Sequence, residues 1–188
     1  MTTVLDLDAG NSRLKWRVTE AGALRARGTL PSAELPGTPP EAWAGVERAR
    51  LVSVGPSPQW LERWLRELGV ARVDVARAGG RAGRLRSGYR QPERLGADRW
   101  VALAGAAARC PGPFAVVDAG SALTIDLVDG GGRHLGGWIV PGLGLMQDAL
   151  LRGTAGVRFA DEGDIRCGRP GRDTREAVLG GLRTMVAD

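Results

Sequence analysis

The chain has 188 residues and a formal charge of +5, from 26 basic and 21 acidic side chains, which is length enough for one large or two small domains with a core that needs no staple. Cys110 and Cys167 have no CxxC spacing and only His134 could join them as a soft ligand, so neither a structural zinc site nor a disulfide framework is supported. No apolar run nears the roughly 18 residues of a membrane helix, no basic leader precedes the first apolar run, and the arginines are spread along the chain with few aromatics among them; a soluble, cytoplasmic protein with no nucleic-acid or membrane partner is expected.

In chain order, the apolar residues 4–7 and 14–18 flank Asp8-Ala9-Gly10-Asn11-Ser12, which predicts a hairpin with Asp and Gly in its turn. Residues 23–30 add a third strand, 31–40 form a Pro-rich loop, and 50–54 form a short apolar strand. Ser57 and Pro58 then open a helix with a cap and a proline at its first position, and Trp60, Leu61, Trp64, Leu65 and Leu68 make one apolar stripe along it. Gly69 ends that helix and residues 70–75 read as the next strand.

Residues 78–89 are rich in Gly and Arg and are expected to be a loop. An Ala-rich helix follows over 101–108, with Asp98 and Arg99 near its first turn. Asp suits the positive end of a helix dipole; Arg does not, and needs another explanation. Beyond Pro111-Gly112-Pro113 the tripeptide returns as Asp118-Ala119-Gly120-Ser121, between apolar residues 114–117 and 123–128, so a second hairpin is expected. A further strand over 134–140, broken at Gly136-Gly137 and stopped at Pro141-Gly142, leads to a short helix over 143–151. Residues 161–171 are polar loop, and Asp173-Thr174 caps a last helix through Ala177, Val178 and Leu182. Two halves of similar order, 1–111 and 112–188, each with the same hairpin, point to an internal duplication.

Either turn alone is ordinary turn chemistry. As a pair they form a candidate phosphate clamp: Gly admits a phosphate oxygen to the backbone, successive N–H groups donate to it, and a hydroxyl or amide side chain completes the cradle. The only lysine, Lys15, follows Leu14, so there is no Walker loop, and no intact G-x-G-x-x-G is present.

Five segments then carry a resemblance: Asp8-Ala9-Gly10-Asn11-Ser12-Arg13-Leu14-Lys15-Trp16; Tyr89 with Leu95-Gly96-Ala97-Asp98-Arg99; Asp118-Ala119-Gly120-Ser121-Ala122-Leu123-Thr124; Gly136-Gly137-Trp138-Ile139-Val140-Pro141-Gly142; and Thr174 ahead of Gly180. Together they resemble the type III pantothenate kinases, the family that includes Bvg accessory factor, within the actin-like, acetate and sugar kinase superfamily. The resemblance implies an α/β, duplicated ribonuclease H-like (actin-like ATPase) fold of two lobes with mixed sheets. It implies ATP-dependent phosphorylation of pantothenate to 4'-phosphopantothenate, the first step of coenzyme A synthesis.

By position, it implies that Asp8, Ala9, Gly10, Asn11, Ser12, Arg13, Leu14 and Lys15 hold ATP, and that Ser121, where the family usually has Thr, keeps the second phosphate motif's hydroxyl. Asp118 would bind a monovalent cation, K⁺ or NH4⁺. Tyr89, Gly96, Ala97, Asp98, Arg99 and Thr174 would form the pantothenate site, with Asp98 as proton acceptor. Residues 136–142 would lie near the adenosine. Family members are homodimers with this pocket at the subunit interface, so Thr174 would serve either subunit's site. They also continue beyond the helix that carries Thr174, so a second lobe short of a strand and its closing helix is expected.

The residue chemistry agrees. Phosphoryl transfer to an alcohol needs a carboxylate near the hydroxyl, cations against the polyphosphate charge, and donors that fix the transferred group in line. Asp98 supplies the carboxylate. Asp8 beside phosphate is repulsive unless Mg²⁺ lies between them, and the same reasoning suits a cation at Asp118. Arg99 requires an anion, either the pantothenate carboxylate or Asp98. The alternatives are a weak or inactive member acting as a nucleotide-binding accessory or regulatory protein, and a kinase or phosphohydrolase of another small substrate, which would have no reason to keep Tyr89 with Gly-Ala-Asp-Arg.

Overall fold

The computed structural model describes residues 2–159 and 169–187. In chain order the elements are β1 (Thr3–Ala9), β2 (Arg13–Glu20), β3 (Ala23–Pro31), β4 (Arg48–Ser53), α1 (Pro58–Glu67), β5 (Arg72–Val75), β6 (Arg81–Ala82), β7 (Leu85–Arg86), α2 (Ala97–Ala107), β8 (Phe114–Ala119), β9 (Ala122–Val128), β10 (His134–Pro141), α3 (Leu143–Gly153) and α4 (Thr174–Ala187). The chain divides into two compact units: Met1–Val116 with Asp126–Gly137, and Val117–Ile125 with Trp138–Asp188.

The first unit is built on a five-stranded sheet in the order β3-β2-β1-β4-β5. β1, β2 and β3 are antiparallel neighbours, while β4 and β5 run parallel to β1. Three meandering strands followed by parallel additions across a helix is the mixed ribonuclease H-like arrangement expected. Alternation along β1 buries Thr3, Leu5, Leu7 and Ala9 on one face and leaves Asp6 and Asp8 on the other, as a period of two requires. The buried face packs with Leu61, Trp64 and Leu65 of α1, and each fully buried leucine there contributes about 2 kcal/mol through apolar area removed from water. Trp16, Trp43, Trp64 and Trp60 form a chain of ring contacts with centroids 5.7–6.0 Å apart along this core.

Ser57 caps α1 by accepting the Trp60 N–H, with Pro58 at the first helical position, as the sequence predicts. α2 starts four residues earlier than the sequence predicts, at Ala97, so Asp98 and Arg99 lie within its first turn. The expected loop over 78–89 contains a small hairpin, β6 with β7, and Arg86 donates its N–H to Gly132 O at 2.9 Å. Strands of two residues have no periodicity to betray them. Arg84 ties the end of α2 down: Nε donates to Ala107 O at 3.2 Å, Nη2 to Gly112 O at 3.0 Å and to Cys110 O. A guanidinium suits a helix C-terminus, where carbonyls lack intrahelical partners.

The third sheet has the order β10-β9-β8. β10 continues through Gly136-Gly137, where a break was expected, because Gly136 takes a φ of +111° that a side chain would disfavour. In the second unit Gly142 N donates to Ser121 O at 2.9 Å, and α3 packs with α4. Asp173 caps α4 by accepting the Glu176 N–H at 2.7 Å. The expected polar loop over 161–171 lies outside the described residues as far as residue 168. Leu179 is the only large apolar side chain that the described residues of this unit bury.

Candidate active site

The first turn is held from two sides. Gly10 N donates to Arg13 O at 3.0 Å within it. From the end of β3, Ser32 Oγ donates to Gly10 O and Ser32 N to Ser12 O, both at 3.0 Å. From the loop after β4, Val54 N and Gly55 N donate to Ala9 O at 3.0 and 3.3 Å. Gly55 lies so close that a Cβ there would be 2.5 Å from Gly10 O and 2.9 Å from the Asn11 Cα, so no larger residue fits without moving the turn. Ala9 and Leu14 are fully buried and anchor the turn in the core, whereas Asn11, Ser12, Arg13 and Lys15 are exposed.

Asp8 pairs in register with Lys15 on β2 and Val52 on β4. Both open onto a cavity of about 930 Å³ on the sheet face opposite α1, lined also by Asp6, Arg17, Arg50 and Asp74. Most of that charge is internally matched. Arg17 Nε and Arg50 Nε reach the Asp6 carboxylate at 2.7 and 2.5 Å. Burial pushes the Asp6 carboxyl up, but the hydrogen bonds and charges of Arg50 and Arg17 outweigh it and hold the group below its ordinary value. Arg48 and then Arg72 do the same for Asp74.

The Gly-Ala-Asp-Arg segment begins α2. Gly96 is the cap residue, Asp98 Oδ1 accepts the Arg99 N–H at 2.8 Å, and Ala97 borders a second cavity of about 400 Å³ at the carboxyl ends of β4 and β5. Such strand ends are the usual ligand crevice of open α/β sheets. The anion that Arg99 requires is neither Asp98, which takes only its backbone N–H, nor a ligand, but Asp126. The Arg99 Nε and Nη2 donate to Asp126 Oδ2 and Oδ1 at 2.8 and 2.6 Å, and its Nη1 donates to the Tyr89 hydroxyl at 2.8 Å. The Asp126 hydrogen bond is the main cause that raises the Arg99 guanidinium above its ordinary value. His134 completes the group, with Nε2 at 2.8 Å from Asp126 Oδ1 and its ring stacked on Tyr89 at 5.8 Å.

Of the remaining site residues, Asp118 is exposed at the end of β8, and Ser121 lies in a turn where Gly120 N donates to Ala122 O at 2.9 Å. Gly142 packs on this turn as Gly55 does on the first: a Cβ on it would strike Gly120 O. Thr174 is exposed at the start of α4. No three His, Cys, Asp or Glu side chains cluster as a metal site among the described residues.

Residues 4–188 match the sequence profile of the family described as Type III pantothenate kinase. The chain belongs to the type III pantothenate kinase family. Curated members of the family include those of Marinobacter nauticus, 38% identical over 95% of this chain and 75% of the relative, and Ectopseudomonas mendocina, 40% identical over 97% and 77%. Among solved structures, a Baf family transcriptional activator from Campylobacter jejuni matches with a TM-score of 0.58 at 21% identity, over 97% of this chain and 75% of that one, which supports the fold. The family motifs led to Asp8, Asp98, Arg99 and Tyr89. They gave no sign of Asp126 and His134, which are buried partners rather than turn or cap residues, nor of Gly55, whose role is a close approach between distant segments.

Proposed function

We propose that the chain transfers the γ-phosphoryl group of ATP to the hydroxyl of pantothenate, forming 4'-phosphopantothenate. The observation that carries this reading is the family match across residues 4–188. Asp98 accepts the proton of the attacking hydroxyl, a step that comes late in a loose transition state and asks little basicity of the carboxylate. Tyr89, Gly96, Ala97, Asp98 and Arg99 hold pantothenate, and the cavity beside Ala97 supports a recess of suitable kind there. Thr174 joins this pocket in a homodimer.

Asp8, Ala9, Gly10, Asn11, Ser12, Arg13, Leu14 and Lys15 position the ATP phosphates, with Ser121 on a second phosphate turn. Lys15, exposed and in register with Asp8, offsets phosphate charge. The Asp8 carboxylate suits Mg²⁺, which binds through one or two carboxylates plus substrate phosphates and retains water. Bound there, the ion would neutralise charge developing on the transferred group. Asp118, an exposed carboxylate at a strand end, suits K⁺ or NH4⁺. The halves 1–111 and 112–188 are read as the two lobes, and cytoplasm as the compartment; no helix among the described residues is long and apolar enough to cross a membrane. Retention of Asp8, Asp98, Arg99 and Asp118 favours activity over an accessory nucleotide-binding role.

Steady-state release of ADP with ATP, Mg²⁺, K⁺ and pantothenate tests the reading. Turnover should depend on pantothenate, and Asp98→Asn should lower kcat by about 10² or more with ATP binding little changed. A folded wild-type protein without pantothenate-dependent turnover refutes the reading, and an unchanged kcat in the variant removes Asp98 from its role.

A further inference from the structure

Three ionisable side chains are buried together beside the Gly-Ala-Asp-Arg segment: Arg99 at 5% exposure, Asp126 at 2% and His134 at 0%. Removing such groups from water is costly, and a buried ion pair is weak support for stability in itself. What the arrangement provides is direction. The planar guanidinium of Arg99 meets Asp126 through two parallel bonds, a geometry that allows one orientation. A third donor of the same guanidinium is thereby aimed at the Tyr89 hydroxyl. His134 braces both partners at once, through Nε2 on Asp126 and through its ring under Tyr89. Its backbone carbonyl also packs against Gly88, the neighbour of Tyr89, at a separation no Cβ could occupy.

The consequence for Asp98 is equally direct. With the guanidinium turned toward Asp126, residue 99 gives Asp98 only its backbone N–H, and no guanidinium contacts the Asp98 carboxylate among the described residues.

We propose that Asp126, braced by His134, is a positioning residue for the phosphoryl acceptor. It fixes Arg99 and, through Arg99, Tyr89, and it keeps the Arg99 cation off the Asp98 carboxylate. The inference rests on the reading of Tyr89 and Arg99 as pantothenate contacts. Asp126 touches no substrate and acts through its neighbours, so its removal should be felt at the acceptor side and not at ATP.

The test is steady-state kinetics on the full chain, with pantothenate and ATP varied separately. Asp126→Asn keeps the shape but presents an N–H₂ to one arm of the guanidinium. It should raise KM for pantothenate about 10-fold or more while KM for ATP stays within about 2-fold. In an Arg99→Met background the same change should add little, since the effect passes through Arg99. If circular dichroism shows Asp126→Asn unfolded, His134→Gln carries the test: it leaves the Arg99–Asp126 fork in place, removes the brace, and should raise KM for pantothenate about 3-fold.

Unchanged pantothenate KM in the folded variants overturns the proposal. So does a parallel fall in all parameters with the folded fraction, or failure of both variants to fold, because the pair would then be structural alone. Wild-type protein with no pantothenate-dependent turnover removes the functional reading and the inference with it; wild-type turnover with unaltered variants removes only the inference.

Discussion

Gly55 shows how a residue far from any motif governs one. It makes the loop after β4 close enough to donate to Ala9 O and to lie against Gly10 and Asn11. A methyl group there meets backbone atoms, which cannot swing aside as a side-chain end can, so the turn itself must shift. Gly55→Ala is expected to cost about 1–3 kcal/mol of stability by overpacking and to raise KM for ATP about 10-fold, since a 1 Å misplacement at a phosphate-positioning turn is costly. Thermal denaturation and ATP-dependent kinetics check both. Gly79→Ala is the control, because a Cβ there meets nothing within 4 Å and should change neither. Gly55→Ala with wild-type ATP kinetics would detach this loop from the phosphate turn.

At the level of elements, β1 divides its labour by face. One side supplies core, and the other carries Asp6 between Arg17 on β2 and Arg50 on β4, its register partners on either side. Because the folded state holds the Asp6 carboxyl below its ordinary value, its stabilising effect is present above the unfolded carboxylate value near about 4 and is lost as pH falls through the lower folded value. Asp6→Asn leaves Arg17 and Arg50 facing each other without their anion. It should lower Tm near neutral pH, and the difference from wild type should shrink as pH falls through the lowered folded value and Asp6 itself becomes protonated. Thermal melts across that range decide it; a pH-independent difference would mean that packing rather than charge is responsible.

The same elements show what sequence makes legible. β1 to β3, α1 and α4 follow from local chemistry: Asp and Gly at the turn, Ser57-Pro58 and Asp173-Thr174 at helix starts, and an apolar stripe through Leu61 and Leu65. What was hidden depends on segments distant in sequence. Arg99 and Asp126 are 27 residues apart, and β9 alternates Thr124, Asp126 and Val128 with Ile125 and Leu127, so neither face declares itself as core. An aspartate on the buried face therefore carried no signal until α2 was packed beside it.

Across the whole molecule the two units differ in how much they bury. The first has two hydrophobic clusters, one around Leu5, Leu51, Leu61 and Leu65 and one around Leu85, Leu95 and Leu103. In the second, Val117, Trp138, Ile139 and Met185 are each about 60% exposed, as their values of 62%, 60%, 61% and 62% record. Local opening is easiest where few apolar contacts must be broken. Hydrogen exchange should therefore find the amides of β1, β4 and α1 protected close to the global limit, and those of α3 and α4 exchanging earlier. If the proposed homodimer covers these exposed side chains, protection of α3 and α4 should rise with protein concentration while that of β1 and β4 does not, since only the covered unit gains contacts by association. Uniform protection at high dilution would show that the second unit is as stable alone as the first.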